Sequence, residues 1–93
     1  MVSAIILLKV ECAHVNSVAE QLIEFPGIQE VFSTGGKYDL AALARVAANE
    51  TLAELVTERI SGLPGITYTE TMIAFRVYSR NVLDAGFSLG GTR

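Results

Sequence analysis

The sequence is poor in residues that mark several common classes of protein. Its 93 residues include no tryptophan, two prolines and a single cysteine, Cys12. One cysteine excludes a disulfide within the chain and favours a cytoplasmic location. The seven lysines and arginines are dispersed, and the net charge is −3. Because phosphate contacts need clustered cations, we expect no direct binding to DNA.

Long apolar runs are also missing. The N-terminal run AIILL covers only residues 4–8, far short of the roughly 20 residues that cross a membrane as a helix, so we expect no membrane partner. Hydrophobic residues nevertheless make up 51% of the chain. A single small domain buries a limited fraction of its surface. The excess of apolar residues therefore predicts a homo-oligomer.

The hydrophobic pattern predicts a strand and helix order of β-α-β-β-α-β. Strands are expected at 2–10, 28–33, 38–46 and 66–78, and helices at 14–25 and at 49–62 with Asn49 as N-cap. The sequence FPGI at 25–28 returns as LPGI at 63–66, each time between a helix and a strand. This repeat indicates two β-α-β units. We therefore predict an α+β, ferredoxin-like domain over 1–78, with a four-stranded antiparallel sheet and a tail over 79–93.

Two helices cover only one face of such a sheet, so the other face, the open face, needs a partner. Strand alternation predicts five apolar side chains on the open face, which are Ile5, Leu7, Leu43, Ile73 and Phe75. We expect a second copy of the chain to pack there, sheet against sheet. The alternative is a dimeric barrel enzyme of the monooxygenase type, which would enclose a cavity lined with polar residues. The apolar open face suits a packed interface better.

The stretch TGGKYDL, residues 34–40, lies between two predicted strands. Its spacing differs from that of a phosphate-binding loop, and it leads into a strand rather than a helix. Gly35 and Gly36 can supply the positive φ of a hairpin turn. Asp39 is expected to point to the open face, where a carboxylate needs a partner. The stretch is therefore either a hairpin turn alone or a turn that also forms part of a binding site.

Three threonines, Thr67, Thr69 and Thr71, share one side of the last predicted strand. Strand propensity alone explains them well. A 4-1-3-2 strand order, however, brings them to the same end of the sheet as the hairpin, about 10 Å away. The rim then offers a carboxylate and hydroxyl donors to a small zwitterion. We predict no catalytic group and no metal site, since Cys12 and His14 supply too few ligands.

Taken together, residues 2–78 resemble the ligand-binding (RAM) domain of the Lrp/AsnC, or feast/famine, regulators. The most specific matches are Gly36-Lys37-Tyr38-Asp39, the Pro-Gly-Ile helix stop and the Thr-x-Thr start of the last strand. The resemblance implies face-to-face dimers that assemble into rings, often octamers, and bind amino-acid effectors between dimers without a cofactor.

The resemblance also assigns residues to the effector site. It implies that Tyr38 and Asp39, with the backbone of Gly36 and Leu40, line one side of the pocket. Thr69 and Thr71 would line the other side. The family's N-terminal helix-turn-helix domain has no counterpart in these 93 residues. We therefore expect a stand-alone, non-enzymatic effector-binding module that modulates full-length Lrp/AsnC regulators by co-assembly.

Overall fold

A computed structural model describes residues 1–80 of the chain. Four strands, β1 (Val2–Val10), β2 (Ile28–Ser33), β3 (Leu40–Val46) and β4 (Ile66–Ile73), form one sheet in the order β2-β3-β1-β4. Every neighbouring pair is antiparallel. The predicted ferredoxin-like fold is confirmed. Most of the predicted tail, from residue 81 onward, lies outside the described residues.

Two helical segments connect the strands. The first is α1 (Val15–Leu22), which follows a 3-10 turn over Cys12–His14. The second is α2 (Asn49–Glu54), which continues as a π-helical turn and ends in a 3-10 turn at Ile60–Gly62. Ala48 rather than Asn49 is its N-cap, so that prediction was wrong by one residue. No helix within residues 1–80 is both long and apolar enough to cross a membrane.

The core lies between the helices and one face of the sheet. Alternate residues of the central strands are buried, as the sequence predicted: Ala4, Ile6, Leu8, Val10, Leu40, Ala42, Ala44 and Val46. The helical segments contribute Val18, Leu22, Leu52, Leu55 and Ile60. Burying one large aliphatic side chain contributes about 1.5–3 kcal/mol. This layer therefore stabilises the domain from one side of the sheet and leaves the open face bare among the described residues.

The two Pro-Gly-Ile turns, at residues 26–28 and 64–66, have the same glycine conformation. Gly27 and Gly65 have φ angles of 96° and 97°, a conformation that side chains rarely tolerate. The Gly27 carbonyl accepts a hydrogen bond from the Arg45 backbone N–H at 2.7 Å, and the Gly65 carbonyl accepts one from Glu11 at 2.8 Å. Each turn thus joins the end of a helix to the end of a neighbouring strand.

The last strand is shorter than predicted. It ends at Ile73 rather than at Tyr78, and the next residue, Ala74, donates its N–H to the Ser3 carbonyl at 2.8 Å. Phe75 was predicted to be a strand residue of the open face. It instead lies beyond the end of β4, where it is 99% exposed. Its participation in an oligomer interface stays a prediction.

The register of β4 corrects a second assignment. Thr69 pairs with Leu8, Thr71 with Ile6, and Ile73 with Ala4. Residues directly opposite each other in an antiparallel pair share a face, and these β1 residues are buried under the helices. The prediction that Ile73 lies on the open face was therefore wrong. It lies on the helix side, where it remains 52% exposed because β4 is an edge strand.

Candidate functional site

The stretch TGGKYDL forms the hairpin between β2 and β3. Thr34 closes it, because its N–H donates to the Asp39 carbonyl at 3.0 Å and its hydroxyl donates to the Tyr38 carbonyl at 2.6 Å. Gly36 has a φ of 123°, with open space where a side chain would project. Gly35 does not have a positive φ. The hairpin turn is confirmed, but one glycine rather than two supplies the positive φ.

Asp39 attaches the hairpin to β1. Its N–H donates to the Leu8 carbonyl at 2.9 Å, and its Oδ2 accepts the Val10 backbone N–H at 2.8 Å. Because β3 begins at Leu40 rather than at the predicted residue 38, the carboxylate takes the place of a strand partner for Val10. The Asp39 side chain therefore caps the end of the sheet, and its orientation towards the open face stays a prediction.

The Asp39 carboxylate keeps acceptor capacity beyond this bond. A carboxylate offers about four lone-pair sites on two oxygens. Within residues 1–80, Oδ1 of Asp39 accepts no hydrogen bond. The half-buried side chain is therefore anchored through one oxygen and available through the other.

Four side chains form a tyrosine–lysine cluster at the hairpin end of the open face: Lys9, Tyr38, Tyr68 and Glu70. The Tyr38 hydroxyl donates to the Glu70 carboxylate. The Lys9 ammonium lies 5.9 Å from the Tyr38 ring centre and 5.8 Å from that of Tyr68. The two rings are 6.4 Å apart and stacked at 23°. Cation–π contacts of this kind stabilise exposed sites modestly, so the cluster ties the hairpin to β4 across β1.

Glu70 also shifts the pKa of Tyr38. The hydrogen bond to Glu70 raises the pKa of Tyr38 to about 12, with burial and the negative charge of Glu70 adding to the effect. The phenol therefore keeps its proton, and can donate to Glu70, to a higher pH than an ordinary tyrosine with a pKa of about 10.

The two threonines of the predicted site lie on the other face of β4. Thr71 lines a shallow groove of about 240 Å³ between β4 and α2, together with Ile73, Asn49 and Val56. Thr69 points to the same helix side through its pairing with Leu8. The structure thus brings the hairpin and the start of β4 to one end of the sheet, as predicted, but puts Tyr38 and the threonines on opposite faces. Leu40 is fully buried, so only its backbone can reach a ligand.

Sequence reasoning missed Lys9, Tyr68 and Glu70. The segment TYTET alternates threonine with tyrosine and glutamate, so one face of the strand carries the threonines and the other carries Tyr68 and Glu70. Which set shares a face with the hairpin tyrosine depends on the pairings Lys9–Tyr68 and Leu7–Glu70, and no local pattern reveals that register.

The open face carries an apolar surface in its middle. Ile5, Leu7 and Leu43 are half-buried there, and Ile5 is flanked by Leu43 on one side and Met72 on the other. Phe32 of β2 extends the surface through its pairing with Ala41. Met72 and Phe32 are 43% and 46% exposed. Among residues 1–80, Ile5, Leu7 and Leu43 thus lie on an apolar surface that remains partly exposed, and their role in an oligomer interface stays a prediction.

No group of three or more histidine, cysteine or acidic side chains within residues 1–80 is placed to hold a metal ion. Cys12 is exposed. His14 lies next to Glu11, with its Nδ1 3.4 Å from the Glu11 carboxylate. Glu11, Cys12 and His14 lie at the junction of β1 and α1, but they are not placed to ligate one ion together.

Residues 3–83 match the family described as the Lrp/AsnC ligand binding domain. The HTH-type transcriptional regulator FL11 of Pyrococcus furiosus is 33% identical over 75 residues, which are 81% of this chain and 49% of FL11. The chain therefore spans about half the length of that relative. The crystal structure of TTHA0845 from Thermus thermophilus is 40% identical, with a TM-score of 0.81, and the match covers 86% of this chain and 100% of that one.

A more distant structure shares the fold. The transcriptional regulator NMB0573 of Neisseria meningitidis, solved as a complex with L-Met, is 14% identical with a TM-score of 0.76. The match covers 85% of this chain and 53% of NMB0573. The family match over most of the sequence, the hairpin with its Gly-x-Tyr-Asp residues and the shared fold lead to one conclusion: the chain belongs to the Lrp/AsnC family and contains that family's ligand-binding domain.

Proposed function

We propose that the chain is a non-enzymatic, oligomeric effector-binding module that senses an amino acid or a related small metabolite at subunit interfaces. One observation carries the proposal: Asp39 is anchored to Val10 through Oδ2 and keeps Oδ1 for a ligand, at the end of the sheet where β4 begins. The family match and the L-Met complex of NMB0573 support an amino acid as the ligand. The single cysteine favours a cytoplasmic location.

The ligand chemistry follows from the groups at this end. An α-ammonium pairs with Oδ1 of Asp39, and an α-carboxylate accepts from the backbone N–H of Gly36 or from the hydroxyls of Thr69 and Thr71. Tyr38 and the threonines lie on opposite faces of the sheet, so one copy of the chain does not surround a ligand. A neighbouring copy is needed to complete the pocket.

The effector site is tested by removing the charge of Asp39 while keeping its structural bond. Asp39→Asn retains an oxygen to accept the Val10 N–H. After a thermal-shift screen of the twenty amino acids identifies a ligand, calorimetry should show about ten- to a hundred-fold weaker binding to Asp39→Asn. Thr69→Val should weaken it as well. Glu24→Gln, which removes an exposed carboxylate from the turn after α1, is the matched control.

Two results would refute the effector site. One is the absence of any amino-acid response in the screen. The other is a dissociation constant that stays the same in Asp39→Asn and Thr69→Val.

The proposed assembly uses the open face. Two sheets pack through Ile5, Leu7 and Leu43, and the dimers assemble further into a ring such as an octamer. Leu43→Asp places a charge in this apolar contact, where an unpaired charge is costly to bury. Light scattering should then show smaller particles than for the wild type. Asn16→Asp adds the same charge to an exposed site on α1 and should leave the assembly intact. A wild-type monomer at micromolar concentration would contradict the proposal.

The regulatory role rests on the relatives. FL11 is named as a transcriptional regulator, and this chain matches about half of it. We propose that the module modulates full-length Lrp/AsnC regulators by mixed assembly and does not itself bind DNA. Co-purification with such a regulator should yield mixed oligomers, whereas a gel-shift titration of the chain alone should show no sequence-dependent binding. The relatives matched are named as regulators rather than enzymes, so the barrel-enzyme alternative gains no support from them.

A further inference from the structure

The groove between α2 and β4 lies on the helix side of the sheet, away from the open face. It has a volume of about 240 Å³, and Thr71 and Ile73 form its β4 wall. Thr71 pairs with Ile6 of β1, which is fully buried under the helices. Packing two sheets through their open faces therefore leaves this groove accessible in the assembly.

The walls of the groove are largely apolar. Its apolar lining residues are Leu52, Ala53, Val56 and Ile73, and the remaining ones are Asn49, Thr57 and Thr71. Within residues 1–80 no charged side chain lines it, although Glu50, Glu54 and Glu58 lie on the same helical segment. A charged ligand group would have no counter-ion there, and burying an unpaired charge is costly. The groove therefore favours a neutral, apolar group.

Two polar side chains of the lining are available to a ligand. Thr57 donates its hydroxyl to the Ala53 carbonyl at 2.7 Å. The side chains of Thr71 and Asn49, in contrast, make no hydrogen bond within residues 1–80. Thr71 is also one of the threonines that would hold the α-carboxylate of an effector. A ligand whose carboxylate accepts from Thr71 has its own side chain next to the apolar walls.

The helical wall of the groove has an irregular backbone. Val56 and Thr57 lie in the π-helical turn, Leu55–Arg59, that continues α2. Turns of this kind are rare and occur frequently at functional sites. The backbone of α2 thus points to the groove independently of the side chains that line it.

The size of the groove suits one side chain rather than a whole ligand. Small-molecule sites typically measure about 300–1,000 Å³, and this groove is smaller. At roughly 30 Å³ per water molecule in the liquid, it has room for about eight non-hydrogen atoms. We propose that the groove is the side-chain subsite of the effector site and selects an amino acid with an aliphatic side chain. This inference rests on the proposed effector site, where a neighbouring copy supplies the carboxylate for the α-ammonium.

Calorimetry with the intact chain in its own assembly should compare L-leucine with L-asparagine. The two side chains have the same number of non-hydrogen atoms, but asparagine has a polar amide in place of methyl groups. L-Leucine should bind at least about tenfold more tightly, because burial favours the aliphatic side chain and not the amide. Ile73→Thr should reduce this preference at least about fourfold. Ile23→Thr makes the same change at an exposed position at the end of α1 and should leave the preference unchanged.

A second variant fills the groove instead of changing its polarity. Ala53→Leu adds an apolar side chain at an exposed helical position, where leucine is a good helix former. It should weaken L-leucine binding by at least about tenfold, because the added side chain occupies the space of the ligand. Gln21→Leu introduces the same side chain at an exposed position on α1 and should have no effect.

The outcomes separate the subsite from the effector site as a whole. Asp39→Asn should weaken L-leucine and L-asparagine by the same factor, since it acts on the α-ammonium that both share. Equal binding of the two amino acids, or unchanged L-leucine binding in both Ile73→Thr and Ala53→Leu, would overturn the subsite. The effector site would still stand if Asp39→Asn weakened both ligands in those experiments. If no amino acid bound to the wild type, both proposals would fail.

Discussion

Asp39 has a structural role that Asp39→Ala should expose. The substitution removes Oδ2, the acceptor for the Val10 N–H at 2.8 Å. Val10 is only 6% exposed, so water has limited access to the orphaned donor. Leaving a buried donor without a partner costs about 1–3 kcal/mol. For a domain of this size, each kcal/mol lowers the melting temperature by roughly 4–8 °C. We therefore expect Asp39→Ala to melt at least about 4 °C below the wild type.

Asp39→Asn separates the hydrogen bond from the charge. Its amide oxygen still accepts from Val10, but a neutral bond is roughly half as strong as a charge-assisted one. The expected loss is therefore about half that of Asp39→Ala. Circular dichroism melts, recorded at one protomer concentration because assembly shifts the melting temperature, measure both variants. Equal melting of Asp39→Ala and wild type, or equal losses in the two variants, would refute the assigned role of Oδ2.

Two further predictions concern Tyr38 and the glycine turns. Ultraviolet titration should show one tyrosine ionising near pH 12, a transition that Tyr38→Phe abolishes and Glu70→Gln moves back towards 10. Since the folded pKa is raised above the unfolded value of about 10, this contact stabilises fully below pH 10, and its contribution is lost as pH rises through 12. Gly65→Ala should lower stability by about 1–3 kcal/mol in urea unfolding, because φ is 97° and the new Cβ would lie 2.5 Å from Cβ of His14. Gly35→Ala, with open space and no positive φ, is the control and should be close to neutral. Retention of the pH 12 transition in Tyr38→Phe, or equal stability of the two glycine variants, would contradict these assignments.

Local sequence patterns determined most of the architecture. The predicted bounds of β1 and β2 match the structure residue for residue, because β-branched and aliphatic runs bounded by turn residues leave few alternatives. The repeated Pro-Gly-Ile motif located the two turns that lead from a helix to a strand, since a glycine with positive φ is a local requirement. The end of the first helix was predicted less well, because α1 ends at Leu22 rather than at residue 25. Topology followed from the order of elements and the handedness of crossovers.

The sequence determined the bounds of β3 and β4 less well. Beyond Ile73 the sequence continues with Ala74, Phe75, Val77 and Tyr78, and Tyr38 precedes β3, so the pattern alone did not end β4 at Ile73 or begin β3 at Leu40. A strand ends where the neighbouring strand no longer offers backbone groups for hydrogen bonds. Here Ser3 offers the last carbonyl to Ala74, and the Asp39 side chain replaces a backbone partner for Val10.

The side chains that share the candidate site were determined by the register of β4 against β1. Alternation establishes that Thr69 and Thr71 share one side of β4 and that Tyr68 and Glu70 share the other, but it does not say which side meets the helices. Hydrophobicity gives no answer, because β4 is an edge strand that is largely exposed on both faces. A shift of one residue exchanges the two faces of a strand. Only the pairing of β4 with β1 therefore placed Glu70 beside Tyr38 and the threonines on the helix side.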